Sequence, residues 1–280
     1  MSFNLHLMTV YWLEQIENDV PAENHWLSEW EQNCLSGMRF AKRRADWRLG
    51  RWTAKRALAA CLHLPAAVDL LTDIEVRPAA SGAPAAFHRG QPAQVAISLS
   101  HRAGVALCTV GPIEIPFGCD LETVESRSNS FVADYFTDGE KTLIEQAPLE
   151  DRSRLVTLLW GAKESVLKAL RIGLRADTKS VNVSSVYAGF WTVPIESQDL
   201  SLSGTGFDHW CPLRASYGAQ DFYGWWRLQS QLVRTVVADV PLRPPVSILL
   251  RRSALPLHRV DQSARDNALQ SPCGEVSGWE

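Results

Sequence analysis

The chain has 280 residues, enough for one large domain or two of modest size. Hydrophobic residues make up 46% of it and charged residues 21%, a balance that excludes a disordered or fibrous chain. The net charge of −3 argues against a general nucleic-acid coat protein, so any anion site has to be a local patch.

The first half of the chain predicts one long helix among several strands. Segment 21–37 is polar and predicts a loop or a short helix. Segment 38–64 is rich in Ala, Arg and Leu and stops before Pro65, which predicts the long helix. The Gly-, Ala- and Pro-rich segment 78–92 predicts a loop. The predicted strands lie at 5–13, 73–77, 94–99 and 104–110.

The second half predicts a similar order of elements. It begins with a strand at 115–122, continues with short helical stretches at 130–146, and then has a second long helix at 151–171. Strand-forming segments follow to about residue 250. Because each half places a helix before strands, we expect α+β halves of similar size. No repeat is detected between them at the level of the sequence.

These elements predict three divisions of the chain. They are an N-terminal half at 1–112, a C-terminal half at 113–250, and a polar tail at 251–280 that lacks periodicity and is expected to be flexible. We detect no signal peptide and no apolar run of the roughly 18 residues that a membrane helix needs. The six cysteines are scattered without metal-ligand spacing, as in a soluble cytoplasmic protein.

The first segment with chemical potential is the strand FGCDLE at 117–122. Alternate residues of a strand share a face, so Asp120 and Glu122 point the same way. Two adjacent carboxylates repel each other unless a cation lies between them, and oxygen ligands suit Mg²⁺. The alternative is an edge strand with a solvated polar face.

The second segment, WGAKESVLK at 160–168, lies in the second long helix. Projection at about 100° per residue places Trp160, Glu164, Lys168 and Arg171 on one face. An apolar stripe occupies the opposite face: Leu155, Leu159, Ala162, Val166 and Leu170. The alternative for Glu164 and Lys168 is an exposed ion pair between residues four apart.

The third segment is the basic first half of the helix at 38–64. Arg44, Arg48, Arg51 and Lys55 project within an arc of about 60°. Clustered cations favour an anion nearby, and phosphate is the partner that paired Arg donors bind best. The alternative is a solvated basic face.

Together these segments resemble the paired signature of the 4′-phosphopantetheinyl transferases, the surfactin-synthetase-activating type. FGCDLE and the later WGAKESVLKALRIGL carry the resemblance, and ISLSH at 97–101 and RRADWRLGR at 43–51 match in the family's order. The resemblance covers roughly residues 35 to 190. It implies a pseudo-dimer of two similar α+β halves, each a long helix packed on a small, mainly antiparallel sheet, with the site between them.

The resemblance also implies a role for each matched residue. The implied Mg²⁺ ligands, with Mn²⁺ as an alternative ion, are Asp120, Glu122 and Glu164. The implied catalytic residues are Glu164 and Lys168, and Lys168 also contacts the pyrophosphate of coenzyme A. The other implied coenzyme A contacts are Arg43, Arg51, Ser100, His101 and Lys163.

Two positions depart from the family's pattern. Ala83 stands where relatives carry a basic residue between Gly and Pro, so we expect one cationic contact to coenzyme A either to be missing or to come from Arg77 or Arg89. Arg171 stands where a Gly is expected, three residues after Lys168. Neither change involves the carboxylates.

The activity implied by the resemblance is transfer of phosphopantetheine from coenzyme A, the substrate, to a serine of an acyl or peptidyl carrier protein. Adenosine 3′,5′-bisphosphate is released. The expected enzyme is a monomer with no nucleic-acid or membrane partner, and its carrier belongs to fatty-acid, polyketide or nonribosomal-peptide synthesis. The residues alone leave two alternatives: another Mg²⁺-dependent phosphoryl-transfer enzyme acting on a nucleotide, or a non-catalytic module that binds anions or RNA.

Overall fold

The computed structural model describes residues 7–65, 67–186 and 209–248. Its helices are α1 (Glu29–Ser36), α2 (Ala41–Cys61), α3 (Asn129–Tyr135), α4 (Asp138–Gln146) and α5 (Leu149–Ala169). The strands of the first half are β1 (Tyr11–Ile16), β2 (Ile74–Pro78), β3 (Pro84–His88), β4 (Gln91–Pro92), β5 (Val95–Arg102) and β6 (Val105–Pro112). Those that follow are β7 (Phe117–Thr123), β8 (Val181–Val186), β9 (Cys211–Tyr217), β10 (Gln220–Gln229), β11 (Leu232–Ala238) and β12 (Val246–Ser247).

The strands form three sheets, which are antiparallel apart from one pairing. The first has the order β12-β1-β6-β5, the second β7-β11-β10-β9-β8, and the third β2-β3-β4. Only β12 runs parallel to its neighbour, β1. The predicted α+β class is therefore confirmed.

Each long helix covers a sheet and buries one apolar cluster. Helix α2 packs on β1 and β6, and α5 packs on β7 and β11. Both helices are 21 residues long. The core against α5 is centred on side chains such as Leu159, Val166 and Phe222, each fully buried. The core against α2 contains Trp26, Leu58 and Leu71, also fully buried.

An ion pair and a strand pairing connect the second half of the molecule to the first. Arg234 of β11, only 3% exposed, donates to both carboxylate oxygens of Glu14 in β1, at 2.5 and 2.8 Å. Beyond β11 the chain returns to the first sheet, where the Val246 N–H donates to the Val10 carbonyl at 3.0 Å. The residues after β11 therefore complete the sheet that β1 belongs to.

The sequence predicted the long helices to within three residues at each end. It predicted a loop for segment 78–92, which is correct for 79–83 but wrong for Pro84–His88 and Gln91–Pro92, where β3 and β4 form. The small residues Pro84, Ala85 and Ala86 give no alternation, yet they pair with β2 across the hairpin. The expected flexible tail at 251–280 lies outside the described residues.

The first half contains a buried ion pair that fixes α2. Lys55 is fully buried, and its ammonium donates to Glu31 and to the Trp26 carbonyl. Glu31, also fully buried, accepts in addition from the Val76 N–H at 3.2 Å. It is the third residue of α1 and forms a capping box with Ser28.

The second half repeats the pairing of a buried lysine with a capping-box glutamate. Lys163, fully buried, lies 2.8 Å from Glu140 and donates to the carbonyls of Thr178 and Val181. Glu140 accepts from the Val183 N–H at 2.9 Å and is the third residue of α4. Lys163 is the fifteenth residue of α5, just as Lys55 is the fifteenth of α2.

None of the helices within the described ranges combines the length and the apolar character needed to cross a membrane.

Candidate active site

Gly118 allows α5 to lie directly on β7. A Cβ at this position would stand 2.1 Å from the Ser165 carbonyl oxygen and 2.6 Å from the Ala169 nitrogen, distances that no real side chain tolerates. The last turns of α5 therefore touch the strand backbone, which brings Glu164 and Lys168 beside Asp120.

Asp120 lies at the centre of the candidate site and is 1% exposed. Its Oδ1 accepts hydrogen bonds from Lys168 Nζ at 2.6 Å and from the Ser100 hydroxyl at 2.8 Å. Its Oδ2 is buried and has no hydrogen-bond partner. Gly161 leaves room for this atom, because a Cβ there would stand 3.3 Å from it.

Strand β5 completes the site from the first half. The Cys119 N–H donates to the Ser98 hydroxyl at 3.0 Å, which covers the edge of β7. Two residues along β5, Ser100 receives a hydrogen bond from Lys168 at 3.2 Å. The interpretation of Asp120 and Glu122 as a solvated face is wrong, because both are buried.

Glu164 faces Lys168 along α5, with 3.6 Å between its Oε2 and Nζ. Glu164 is buried and Lys168 is nearly so, which rules out an exposed ion pair. The predicted helix face is therefore correct for this pair, although it is turned toward β7 rather than solvent.

Glu122 is surrounded by donors that the sequence analysis missed. Trp160 Nε1 donates to its Oε1 at 3.1 Å. Arg102 and Arg127 approach its Oε2 at 3.5 and 3.4 Å, and both also pair with Glu125. The only signals for the two arginines are that Arg102 follows the ISLSH segment and that Arg127 follows the strand closely.

The two glutamates of the site hold their protons more tightly than isolated glutamates do. Burial, followed by the charge of Asp120, raises the pKa of Glu122 to about 7 and that of Glu164 to about 8. Burial acts to lower the pKa of Lys168, but Asp120 and Glu164 outweigh it and raise that pKa above its ordinary value. Ionising both glutamates together is therefore costly unless a further cation lies beside them.

A hard divalent cation fits this donor set. Within the described ranges no group of three His, Cys, Asp or Glu side chains stands already converged on a metal position, since Lys168 occupies Asp120 Oδ1. The unpartnered Asp120 Oδ2 and the raised pKa values of the two glutamates are what a cation would relieve. Only oxygen atoms are offered, which suits Mg²⁺.

His101 lies next to Ser100 at the end of β5 and remains partly exposed. Its Nε2 is 3.9 Å from Asp46 Oδ2 in α2. Burial is the main cause that lowers the pKa of His101, with Lys168 and Lys42 adding to it. The structure therefore sets His101 between the basic start of α2 and the carboxylate cluster.

Lys163 does not join the cluster. All three of its donors are used by Glu140 and by two backbone carbonyls on the far side of α5. Its expected contact with coenzyme A is corrected on this ground, because a fully buried and fully bonded ammonium has no donor left for a ligand.

The basic stripe predicted on α2 is also corrected. Lys55 is buried with Glu31, and Arg48 donates to the carbonyl of Ala22 at 3.1 Å. Arg51 stacks on Trp47, and burial lowers its pKa to about 10. Arg43 is exposed in the first turn of the helix.

The cations expected to replace a basic residue at Ala83 are engaged elsewhere. Arg77 lies 5.0 Å from the centre of the Phe87 ring and pairs with Glu75, and Arg89 pairs with Asp73 at 2.9 Å. Arg175, which follows α5, instead donates to the Ser81 carbonyl at 2.8 Å and reaches the same loop from the second half.

Comparison with known proteins finds one family model that matches part of the chain. Residues 116–211 match the family model described as the 4′-phosphopantetheinyl transferase superfamily. Among solved structures, a holo-(acyl-carrier-protein) synthase from Bacillus anthracis in complex with CoA (3′,5′-ADP) is 22% identical, with a TM-score of 0.31. The match covers 37% of this chain and 94% of that one. No curated protein shows significant similarity to the chain.

Proposed function

We propose that this chain moves phosphopantetheine from coenzyme A to a serine of an acyl or peptidyl carrier protein. The match of residues 116–211 to the model of the 4′-phosphopantetheinyl transferase superfamily supports the proposal. The observation that carries the proposal is the buried cluster of Asp120, Glu122, Glu164 and Lys168, which lies wholly within the matched segment. The contribution of Ser100 from the first half supports the two-half, pseudo-dimeric type.

The reaction exchanges one phosphoester for another. The serine oxygen of the carrier attacks the β-phosphorus of coenzyme A, the pyrophosphate bond breaks, and adenosine 3′,5′-bisphosphate leaves with the bridging oxygen and its electron pair. The serine proton passes to Glu164, the carboxylate that lies beside Lys168 on the same face of α5.

The other residues orient and neutralise the phosphates. Lys168 and Ser100 share the Asp120 oxygen, so their donors lie side by side where phosphate oxygens of coenzyme A would bind. Asp120, Glu122 and Glu164 would hold Mg²⁺, which supplies charge neutralisation at the pyrophosphate when bound. Arg43 and Arg51 of α2 and His101 of β5 would take the remaining phosphate.

The test is direct transfer in solution. We would incubate the protein with coenzyme A, Mg²⁺ and an apo acyl or peptidyl carrier domain, and record the intact mass of the carrier. A gain of one phosphopantetheine unit on the carrier serine is expected, and a carrier with that serine replaced by alanine is the control. An unchanged carrier mass, with the chain folded and metal present, would contradict the proposal and favour a nucleotide-directed enzyme or a binding module.

A further inference from the structure

The end of α5 has a backbone shape that ordinarily calls for glycine. The Arg171 N–H donates to the Lys168 carbonyl at 3.0 Å, and the Ile172 N–H donates to the Leu167 carbonyl at 3.1 Å. These two bonds form a Schellman motif, in which the residue after the helix cap turns left-handed. Arg171 accordingly has a φ of 58°.

The end of α2 repeats the motif in the other half. The backbone N–H of His63 donates to the Ala60 carbonyl at 3.3 Å, and that of Leu64 donates to the Ala59 carbonyl at 2.8 Å. His63 has a φ of 54°. Glycine is the favoured residue here because it has no Cβ to crowd the following carbonyl. Both helix ends are therefore strained, and His63 provides a matched control for Arg171.

The Arg171 side chain is exposed and unpaired. Within the described part of the chain its guanidinium has no hydrogen bond or ion pair, whereas its neighbours are engaged. Lys168 binds Asp120, and Arg175 donates to the carbonyls of Ile172 and Ser81. Five donors thus remain available one helical turn beyond the lysine of the site.

We propose that Arg171 binds a phosphate oxygen of coenzyme A, and that the strained backbone is kept because it presents this guanidinium. The inference rests on the proposed function. Strained residues persist where the surrounding structure uses them, and an Arg fork matches phosphate better than any other side chain. Attraction to the negative end of the helix would also favour a cation, but it requires no left-handed arginine.

The experiment compares Arg171→Gly with His63→Gly in the full chain. Removing the Cβ from a left-handed position should raise the melting temperature of each variant by about 2–4 °C. Calorimetric titration with coenzyme A and Mg²⁺ should then separate them. Arg171→Gly should weaken binding by roughly 10- to 100-fold, the cost of a hydrogen bond between charged groups, and His63→Gly should leave binding unchanged.

Two further variants and one kinetic measurement complete the design. Arg171→Lys should keep much of the affinity without gaining stability, and Arg171→Ala should lose affinity without gaining stability. The KM for the carrier should be the same in all four variants. Three outcomes would each overturn the inference. The first is that Arg171→Gly or Arg171→Ala binds coenzyme A within twofold of the parent, and the second is that His63→Gly loses as much affinity as Arg171→Gly. The third is that the variants raise the KM for the carrier and do not weaken coenzyme A binding.

These outcomes are distinct from failure of the proposed function. A parent chain that binds coenzyme A without modifying any carrier refutes the transfer reaction, and the Arg171 variants still decide whether this side chain contacts the ligand. A folded parent chain that binds no coenzyme A overturns both.

Discussion

Two regions of the molecule, one around α2 and one around α5, repeat a helix arrangement and differ in the residues set beside it. In each, a capping-box glutamate pairs with the fifteenth residue of a 21-residue helix, and that helix ends in a left-handed residue. The position after the lysine is Arg56 in α2 and Glu164 in α5. The buried pair thus fixes each helix, while the next residue along decides whether the neighbouring surface is basic or acidic.

The same contrast appears at the next turns of the two helices. Thr53 in α2 bonds its hydroxyl to the Leu49 carbonyl, whereas the equivalent Gly161 in α5 gives space to Asp120 Oδ2. Ala60 in α2 corresponds to Lys168 in α5. Each difference removes bulk or adds charge at the carboxylate cluster, so the chemistry was placed on the scaffold without altering its supports.

The largest effect should come from Glu164→Gln, which changes the α5 residue that corresponds to Arg56 of α2. We expect kcat to fall by roughly 10²–10⁴-fold, because the amide cannot accept the serine proton. Binding of coenzyme A should change much less. The measurement is kcat and KM for coenzyme A at fixed Mg²⁺.

Arg56→Gln is the matched control in the first half, where the side chain stacks on Trp52 outside the carboxylate cluster. It should leave kcat within a few-fold of the parent. A Glu164→Gln enzyme with parental kcat and a raised KM would make Glu164 a binding residue only.

Lys163→Met should produce the next largest effect, on stability rather than chemistry. It leaves the buried Glu140 carboxylate without its countercharge, which costs about 3–5 kcal/mol of unfolding free energy. Lys55→Met should cost a similar amount through Glu31. Urea denaturation of both variants measures the two losses side by side.

The double variant Lys163→Met with Glu140→Gln sharpens this result. Removing the stranded charge should recover a substantial part of the loss, since the penalty comes from the unpaired carboxylate. A double variant no more stable than Lys163→Met would argue that packing, and not charge, dominates at this site.

The stability of the metal-free chain should depend on pH through Glu122 and Glu164, which lie in the second half. The pKa values of Glu122 and Glu164 are raised in the folded chain to about 7 and about 8, so the folded state binds more protons than the unfolded one above about pH 4.5. Metal-free protein should therefore lose stability, on the order of a few kcal/mol, as the pH rises from about 5 to 8. Thermal melts across this range provide the measurement.

Mg²⁺ should restore stability at pH 8 and have little effect at pH 5, where protons already neutralise the carboxylates. A variant carrying Glu122→Gln and Glu164→Gln should show a flatter pH profile than the parent. Equal stabilisation by Mg²⁺ at both pH values would place the ion elsewhere.

The smallest effect concerns the basic half. Arg51→Ala should weaken coenzyme A binding by roughly 10- to 100-fold, because hydrogen bonds between charged groups are worth about 1.5–3 kcal/mol. The same substitution should weaken the binding of coenzyme A that lacks its 3′-phosphate much less. Calorimetric titration with both ligands tests this, and equal losses on the two would mean that Arg51 supports α2 through Trp47 instead.

The sequence predicted local features well and long-range pairings poorly. Both long helices and the face shared by Glu164 and Lys168 follow from periodicity, which depends only on near neighbours. The partner of Lys163 could not be found this way, since Glu140 lies on another helix. Periodicity therefore left open whether Lys163 faced the ligand or the core.

A short internal repeat was missed for a related reason. Trp52-Thr-Ala-Lys55 and Trp160-Gly-Ala-Lys163 occupy the same places in α2 and α5, but only three of the four residues agree. So brief a match has no weight until the structure places each lysine against a capping-box glutamate. Arg102 and Arg127 were overlooked likewise, because their meeting at Glu122 depends on how β5 lies against β7.

The return of the chain from β11 to β12 has a consequence for how the molecule opens. Since Val246 and Ile248 donate to the carbonyls of Val10 and Trp12, the last described residues close a sheet begun by the first ones. The Arg234–Glu14 ion pair joins the sheet that contains β11 to the sheet that contains β1 a second time. Separating the two sheets would therefore break both connections. We expect amide protons of β1 and β11 to exchange with solvent in a single shared event, because the Arg234–Glu14 pair joins the two strands.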